Sequence, residues 1–90
     1  MDKVRNNAAL SRYELEANGA TAVLNYRAAG DTLHLVHTET PLQARGQGVA
    51  SRLVQGALDD IRTQGLKVVP RCSFVRAFID THPAYRNLVD

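Results

Sequence analysis

The chain is short of several features that would restrict its function. It has one cysteine, Cys72, no tryptophan and three prolines among 90 residues. A single cysteine excludes an internal disulfide, so a reducing compartment is the expected environment. No apolar run reaches the roughly 20 residues of a membrane-spanning helix, and the polar start of the chain lacks the apolar centre of a signal peptide. We therefore expect a cytoplasmic protein without membrane association.

The chain also lacks a large excess of positive or negative charge. The 11 Lys and Arg residues against 9 Asp and Glu residues leave a net charge of +2. This balance suits an anionic small ligand. It does not indicate direct nucleic-acid binding, because no predicted strand combines basic and aromatic residues on one face. The histidines have no partners at metal-ligand spacing, so we expect no metal site.

The length and the 44% hydrophobic content predict one globular domain over residues 1–90, with a loose start at residues 1–7.

Three consecutive segments alternate apolar and polar residues and predict strands. They cover residues 11–16, 20–28 and 32–40. Asn18-Gly19 and Gly30-Asp31 are typical turn sequences, so the three strands form an antiparallel meander. In the third strand, the alternation places His37 on the side of the apolar Leu35 and Thr38 on the opposite side.

The second half of the chain changes to a helical period. Residues 48–64 carry an apolar stripe and end at Gly65, a typical helix C-cap. The apolar run 66–70 predicts a buried strand, and Ser73 is the expected N-cap of a second helix that Pro83 ends. We expect the second helix and the tail to be anchored in the core by Phe74, Phe78, Ile79, Tyr85, Leu88 and Val89.

The element order is therefore β-β-β-α-β-α. A strand that follows a helical crossover usually lies parallel to the strand before the helix. We expect an α+β fold with a mixed four-stranded sheet, made of the antiparallel meander plus one parallel strand, and the long helix packed on one face.

The segment Arg45-Gly46-Gln47-Gly48-Val49-Ala50 joins the third predicted strand to the long helix. Glycines at such a turn let backbone N–H groups approach a ligand. The helix that follows directs its unpaired N–H groups and the positive end of its dipole at the same place. The expected occupant is a phosphate or a pyrophosphate.

This loop resembles the Gln/Arg-x-x-Gly-x-Gly/Ala motif of the GNAT superfamily of N-acetyltransferases. Arg45, Gly48 and Ala50 stand at the defining positions, and a second register through Gln43, Gly46 and Gly48 fits as well. The chain is also similar to the small single-domain GNAT-like family of about this length. Four ordered motifs over residues 33–89 carry that similarity: His37-Thr38-Glu39, Arg45-Gly46-Gln47-Gly48, Pro70-Arg71-Cys72-Ser73-Phe74 and His82-Pro83-Ala84-Tyr85. At the position of Thr40 the resemblance leads us to expect valine, and this difference affects packing more than chemistry.

The resemblance implies a minimal GNAT-like mixed sheet and acetyl-coenzyme A as the cofactor. The thioester would enter a gap where the third and fourth predicted strands splay apart, with the pantetheine arm beside Glu39 and Thr40 and Phe74 touching it. The pyrophosphate would lie on the loop and the start of the helix. The residues implied there are Arg45, Gly46, Gln47, Gly48, Val49, Ala50 and Ser51.

Three residues are candidates for the chemistry. Cys72 precedes a helix and has Arg71 and Arg76 nearby in sequence, which favours a thiolate. It would accept the acetyl group or assist direct attack by an amine, unless it is a small buried hydrophobic residue. Glu39 would act as a general base or remain a solvated carboxylate. Tyr85 would protonate a leaving thiolate or anchor the C-terminal segment.

The sequence therefore predicts an acetyl-coenzyme A-dependent N-acetyltransferase that acts on a protein lysine or a small amine. The alternative is a coenzyme A-binding module without catalysis, which would not need a reactive thiol. The chain lacks an obvious pair of helices between its first strands, where relatives build an acceptor wall. The acceptor side is then open, suited to a protein tail or completed by a partner chain. An open sheet edge also allows a homodimer.

Overall fold

The computed structural model describes residues 3–90. The expected α+β class and the order β-β-β-α-β-α are confirmed, with one further strand at the start. The strands are β1 (Arg5–Asn7), β2 (Arg12–Ala17), β3 (Ala20–Ala29), β4 (Thr32–Glu39) and β5 (Lys67–Pro70), and the helices are α1 (Val49–Thr63) and α2 (Ser73–Thr81). Short 3₁₀ helices cover Ala8–Leu10, Leu42–Ala44 and Pro83–Leu88.

The five strands lie side by side in chain order. Strands β1 to β4 pair antiparallel, as a meander of short turns requires. Strand β5 pairs parallel to β4, from Thr32 opposite Lys67 to Leu35 opposite Pro70, because α1 carries the chain back across the sheet. The expected parallel pair is therefore confirmed.

The start of the chain is more ordered than its polar composition predicts. Residues 1–7 were expected to be loose, but Arg5–Asn7 pairs with β2, and residues 1 and 2 lie outside the described residues. Val4 packs against α1 at Gly56, where an added Cβ would lie 2.4 Å from Val4 Cγ2. Strand β1 was missed because hydrogen bonds hold it more than apolar burial does.

Both helices cover the same face of the sheet. One continuous core joins the inward residues of the strands to both helices and to the C-terminal 3₁₀ helix. Its largest fully buried members are Tyr13, Leu24, Leu35, Leu53, Leu58, Ile61, Val54, Val68 and Val75. Within residues 3–90 no α-helix covers the opposite face, which we call the open face. The domain therefore has two layers.

Strand β4 contains a β-bulge at Val36. Tyr26 lies opposite Leu35, but the next residue back along β3, Asn25, lies opposite His37, so β4 has one extra residue. Residues directly opposite each other share a face of the sheet. Thr38, opposite the buried Leu24, thus points to the helical layer, whereas His37 is exposed on the open face. The face of the sheet that the sequence predicts for His37 and for Thr38 is therefore wrong in both cases, because strict alternation assumes a strand without a bulge.

Helix α2 begins one residue earlier than expected and turns a different face to the core. Its N-cap is Cys72, not Ser73, and the carbonyl of Cys72 accepts from the N–H of Arg76 at 3.1 Å. Val75 is fully buried, whereas the ring of Phe74, expected inward, is 39% exposed. Val75, Phe78 and Ile79 form the buried stripe at helical spacing, and Phe74 lies at its margin.

The C-terminal segment is anchored largely as expected. Tyr85 and Leu88 are buried, and the N–H of Asp90 donates to the carbonyl of Val68 at 2.9 Å. Val89 is 39% exposed and bridges to Val68 in a parallel sense. The tail therefore covers the outer edge of β5.

On the open face, the carboxylate of Glu14 joins the edge strand β1 to β2. The side chain of Glu14 is 8% exposed and accepts hydrogen bonds from Arg12 at 2.7 Å, Asn7 at 3.0 Å and Arg5 at 3.1 Å. The hydrogen bonds from Arg12 and Asn7 lower the pKa of Glu14, and the charges of Arg12 and Arg5 add to this against the opposing effect of burial. Glu14 thus links β1 to β2.

This lowered pKa predicts acid sensitivity. The folded protein binds the proton of Glu14 more weakly than the unfolded chain does. The stabilisation is therefore complete above the unfolded-state pKa and is lost as pH falls through the folded-state pKa. Between about pH 7 and about pH 3, the free energy of unfolding of the native protein should fall more steeply than that of Glu14→Gln. Denaturant titrations measure this, with the exposed Glu16→Gln as control. Equal slopes for Glu14→Gln and the native protein would contradict the role of this carboxylate.

Candidate active site

The loop before α1 has an unusual backbone. Gly46, Gln47 and Gly48 are three consecutive residues in the left-handed region, with φ of +84°, +57° and +70°. Glycine adopts this conformation without the steric cost that a Cβ brings. An added Cβ at Gly46 would meet nothing within 4 Å. This side of the loop is therefore open to a ligand.

The loop leads directly into the N-terminus of α1. Gly48 is the N-cap, and no side chain caps this helix end. Ala50 and Ser51 lie in the first turn, where N–H groups have no carbonyl partner within the helix. The N–H of Val49 reaches the carbonyl of Gly46 at 3.4 Å, at the long limit of a hydrogen bond. These groups form a cluster of donors at the positive end of the helix dipole.

Two arginines fix the loop from opposite sides. The Nε of Arg45 donates to the carbonyl of Thr40 at 2.9 Å, which ties the loop to the end of β4. The guanidinium of Arg52, from the first turns of α1, donates to the carbonyl of Gln47. Ala44 is fully buried beneath this segment. The loop conformation is therefore held by the protein itself.

Strands β4 and β5 separate before β4 ends. Their last pair is Leu35 and Pro70, and the N–H groups of Arg71 and Cys72 then both donate to the carbonyl of Leu35, at 3.0 and 2.9 Å. Pro70 ends β5, and the chain turns into α2. Within residues 3–90, the segment Val36–Glu39 has no strand partner on its β5 side. The splayed strands implied by the resemblance correspond to this gap.

Cys72 lies at the end of this gap. It is half-buried against the core, and its Sγ is 3.4 Å from the Oγ1 of Thr38. Burial raises the pKa of the thiol, but the hydroxyl of Thr38 and the backbone N–H groups of Val75, Phe74 and Thr38 outweigh it, so the net pKa is lowered. Thr38 and the first N–H groups of α2 therefore lower the pKa of the thiol together.

The two neighbouring arginines act elsewhere than expected. The Nε of Arg71 donates to Nδ1 of His34 at 3.0 Å, on the open face. Arg76 donates to the carbonyls of Arg71 at 2.7 Å and Pro70 at 3.2 Å. Neither arginine is among the groups that lower the pKa of the thiol, so the part of the sequence-based argument that rests on Arg71 and Arg76 is wrong. The part that rests on the start of α2 agrees with the contributions of Phe74 and Val75. Thr38 was missed because the bulge that turns it toward the sulfur has no signal in the sequence.

Glu39 and Thr40 lie between the gap and the loop. Glu39 is exposed and pairs with Val23, so its side chain lies on the open face, opposite to the thiol. The carbonyl of Thr40 accepts from Arg45. The exposed ring of Phe74 follows Cys72 in the first turn of α2.

Tyr85 is part of the packing between α1 and the C-terminal segment. Its hydroxyl donates to Oδ1 of Asp59 at 2.7 Å, and the guanidinium of Arg62 lies 5.1 Å from the centre of its ring. Burial and the hydrogen bond to Asp59 raise the pKa of Tyr85 to about 12. These contacts favour the anchoring role, since the hydroxyl proton is directed to Asp59. His82 closes the same region by stacking on Phe78 at 3.9 Å.

A second feature, a cavity of about 640 Å³, lies between residues 3–5 and α1. Arg52 lines one end of it and Asp59 the other. The described residues contain no group of three or more side chains suited to hold a metal ion. None of the helices within residues 3–90 is long and apolar enough to cross a membrane.

Comparison with known proteins adds evidence on ancestry. A family model described as GCN5-related N-acetyl-transferase matches residues 12–88. Protein NATD1 of Danio rerio is 31% identical over 88 residues, and Protein NATD1 of Homo sapiens is 30% identical over 84 residues. These alignments cover 92% and 90% of this chain, and 80% and 74% of the relatives.

A solved structure has the same fold. The chain superimposes on the NMR structure of a GCN5-like protein from Staphylococcus aureus with a TM-score of 0.73. The match covers 98% of this chain and 87% of the other, at 21% sequence identity. The described two-layer arrangement is therefore a known architecture.

Proposed function

Because the chain belongs to the GCN5-related N-acetyltransferase family, we propose that it transfers an acetyl group from acetyl-coenzyme A to an amine. The family and the fold expected from the sequence are confirmed. The observation that best supports the cofactor is the continuity of β4, whose segment Val36–Glu39 has no strand partner on its β5 side and leads within a few residues into the glycine loop. One extended ligand along β4 can reach both Cys72 and the start of α1.

The distances along β4 suit such a ligand. At the rise of a strand, the five residue-to-residue steps from Leu35 to Thr40 span roughly 17 Å. In our proposal the pantetheine arm lies along this edge, where unpaired backbone groups can hydrogen-bond its amides. Glu39 and Thr40 border the arm on one side, and the exposed ring of Phe74 provides an apolar contact on the other.

The loop would bind the pyrophosphate. Its left-handed backbone and the first turn of α1 present N–H donors, and the charge of Arg45 is close by. The residues proposed for this role are Arg45, Gly46, Gln47, Gly48, Val49, Ala50 and Ser51. Binding energy gained at this remote group would position the reactive end of the ligand beside Cys72.

Acetyl-coenzyme A, when bound, would supply an acyl group activated as a thioester. An acceptor amine is protonated near neutral pH and must lose a proton before it attacks. Glu39, exposed at the end of β4, is the proposed base. Glu39 would take this first proton and later release it to water. The amine nitrogen then forms a bond to the carbonyl carbon, the carbon–sulfur bond breaks, and a second proton leaves the nitrogen and goes to the departing sulfur.

Cys72 offers a second route. Its thiolate would attack the thioester, so that the acetyl group passes from one sulfur to the other, and the amine would then take it from Cys72. The lowered pKa of this thiol favours the thiolate that such a step needs. A coenzyme A-binding module without catalysis would not need a thiol whose pKa is lowered.

The acceptor would approach across the open face. Since no helix covers that face within residues 3–90, the end of β4 is accessible to a lysine side chain of a protein tail or to a small amine. The free thiol of Cys72 fits a reducing compartment, so we place this activity in the cytoplasm.

A matched pair of glycine substitutions tests the cofactor. Gly48→Ala adds a methyl group to the loop at φ +70°, and Gly30→Ala adds one to a hairpin turn at φ +64°. Both changes have a similar backbone cost, about 1–2 kcal/mol. We expect Gly48→Ala to weaken acetyl-coenzyme A binding by tenfold or more in calorimetry, with Gly30→Ala unchanged. Equal affinities would move the cofactor away from the loop.

The route through Cys72 is tested by intact mass under non-reducing conditions. After mixing with acetyl-coenzyme A, the covalent route predicts a single acetyl adduct that disappears in Cys72→Ala, while coenzyme A affinity stays nearly intact. The neighbouring, exposed Ser73→Ala serves as the matched control and should keep the adduct. Wild-type turnover in Cys72→Ala would rule out the covalent step and leave direct attack by the amine.

A further inference from the structure

The bulge in β4 decides which side chain meets the thiol. In a regular strand the side chain on the Cys72 side at this level would be that of His37, which follows Leu33 and Leu35 in alternation. The extra residue Val36 reverses the alternation beyond it. Thr38 takes that place instead.

The contact between Thr38 and Cys72 is direct. Oγ1 and Sγ are 3.4 Å apart, and both side chains are half-buried on the helical side of the sheet. A hydroxyl group both donates and accepts, so it suits either state of the sulfur. It accepts from the S–H of the thiol, and it donates to the thiolate. The second arrangement is the stronger one, because a charged acceptor strengthens a hydrogen bond.

We propose that Thr38 is a positioning residue that holds the Cys72 sulfur at the end of the β4–β5 gap and stabilises its thiolate through a hydrogen bond. This role concerns how the thiol is activated. It rests on the proposed function only in that the activated thiol would serve acetyl transfer. Thr38 takes up no proton in this scheme. When the thiol ionises, its proton leaves to water and the hydroxyl of Thr38 rotates to donate to the sulfur.

The charged groups of the surrounding elements do not explain the ionisation. On β4, His37 and Glu39 lie on the open face, away from the sulfur. Arg71, after β5, is bonded to His34, and Arg76 of α2 is bonded to backbone carbonyls. Among the described residues, Thr38 thus supplies the side-chain hydrogen bond that lowers the pKa of Cys72. The backbone N–H groups of α2 and of Thr38 itself add to it and are retained in every Thr38 variant.

A hydroxyl beside the thiol affects its pH dependence differently from an imidazole. A histidine beside the thiol would itself titrate near neutral pH, so the reactivity would depend on two protonation states. Thr38 stays neutral over that range. The thiol should therefore titrate as a single group.

The test measures the reactivity of Cys72 in the absence of acetyl-coenzyme A. The rate of exchange with the neutral disulfide dithiodipyridine is followed against pH for the native protein, Thr38→Val and Thr38→Ser. Valine keeps the shape of threonine without the hydroxyl, and serine keeps the hydroxyl. Thr21→Val, whose hydroxyl bonds Glu16 on the open face, is the matched control for the same substitution in a strand.

We expect the midpoint of the Thr38→Val profile to rise by about one pH unit. The fraction of thiolate near pH 7 then falls about tenfold, but a more basic thiolate is a better nucleophile, so the net loss of rate is about threefold. At high pH the variant should react faster than the native protein. Thr38→Ser should restore the native midpoint, and Thr21→Val should not move it.

An unchanged midpoint in Thr38→Val would overturn the inference, as would a midpoint in Thr38→Ser that matches that of Thr38→Val. A profile with two steps would also contradict it, since a second titrating group would then face the sulfur. Thr38→Ala replaces Thr38→Val if the latter fails to fold, as judged by its unfolding curve. Because no acetyl donor is present, these outcomes are independent of whether the protein transfers acetyl groups.

Discussion

The early end of β5 is the constraint on which the rest of the site depends. Pro70 closes β5 after four residue pairs, and the next two N–H groups converge on one carbonyl, that of Leu35. The chain is thereby turned into α2 while β4 continues to Glu39. A full-length β5 would pair with the rest of β4, and the sheet would have no gap. The unpaired edge, the position of Cys72 and the access to the glycine loop all follow from this one departure.

The two ends of the gap rely on different physical means. At one end, the left-handed glycines and the N-terminus of α1 provide backbone N–H donors. Such donors suit an anionic group of the ligand, which is recognised by its charge more than by its shape. At the other end, the pKa of a half-buried thiol is lowered by the hydroxyl of Thr38 and by backbone N–H groups of Thr38 and of the start of α2. The open face is the remaining route for an acceptor.

Much of this fold can be predicted from the sequence, because periodicity reports directly on burial. The alternation of β2 and β3, the apolar stripe of α1 and the glycine loop were all recognisable. Three features were not. Strand β1 is held by polar pairing with β2, the buried stripe of α2 includes Val75 and leaves Phe74 outside, and the bulge at Val36 exchanges His37 and Thr38. Each depends on how an element pairs or packs with the rest of the sheet, which a local pattern does not encode. The assignment of the cofactor to the loop, and of chemistry to Cys72, remains a prediction.

The most direct test is an NMR titration of the ¹⁵N-labelled protein with acetyl-coenzyme A, read at each backbone amide. The account predicts shifts at Gly46–Ser51 together with Val36–Glu39 and Cys72, and none at the Gly30 turn. Shifts confined to the cavity between residues 3–5 and α1 would contradict it, since the ligand would then bind on the other side of α1 from the thiol. An absence of any shift at saturating ligand would contradict it as well.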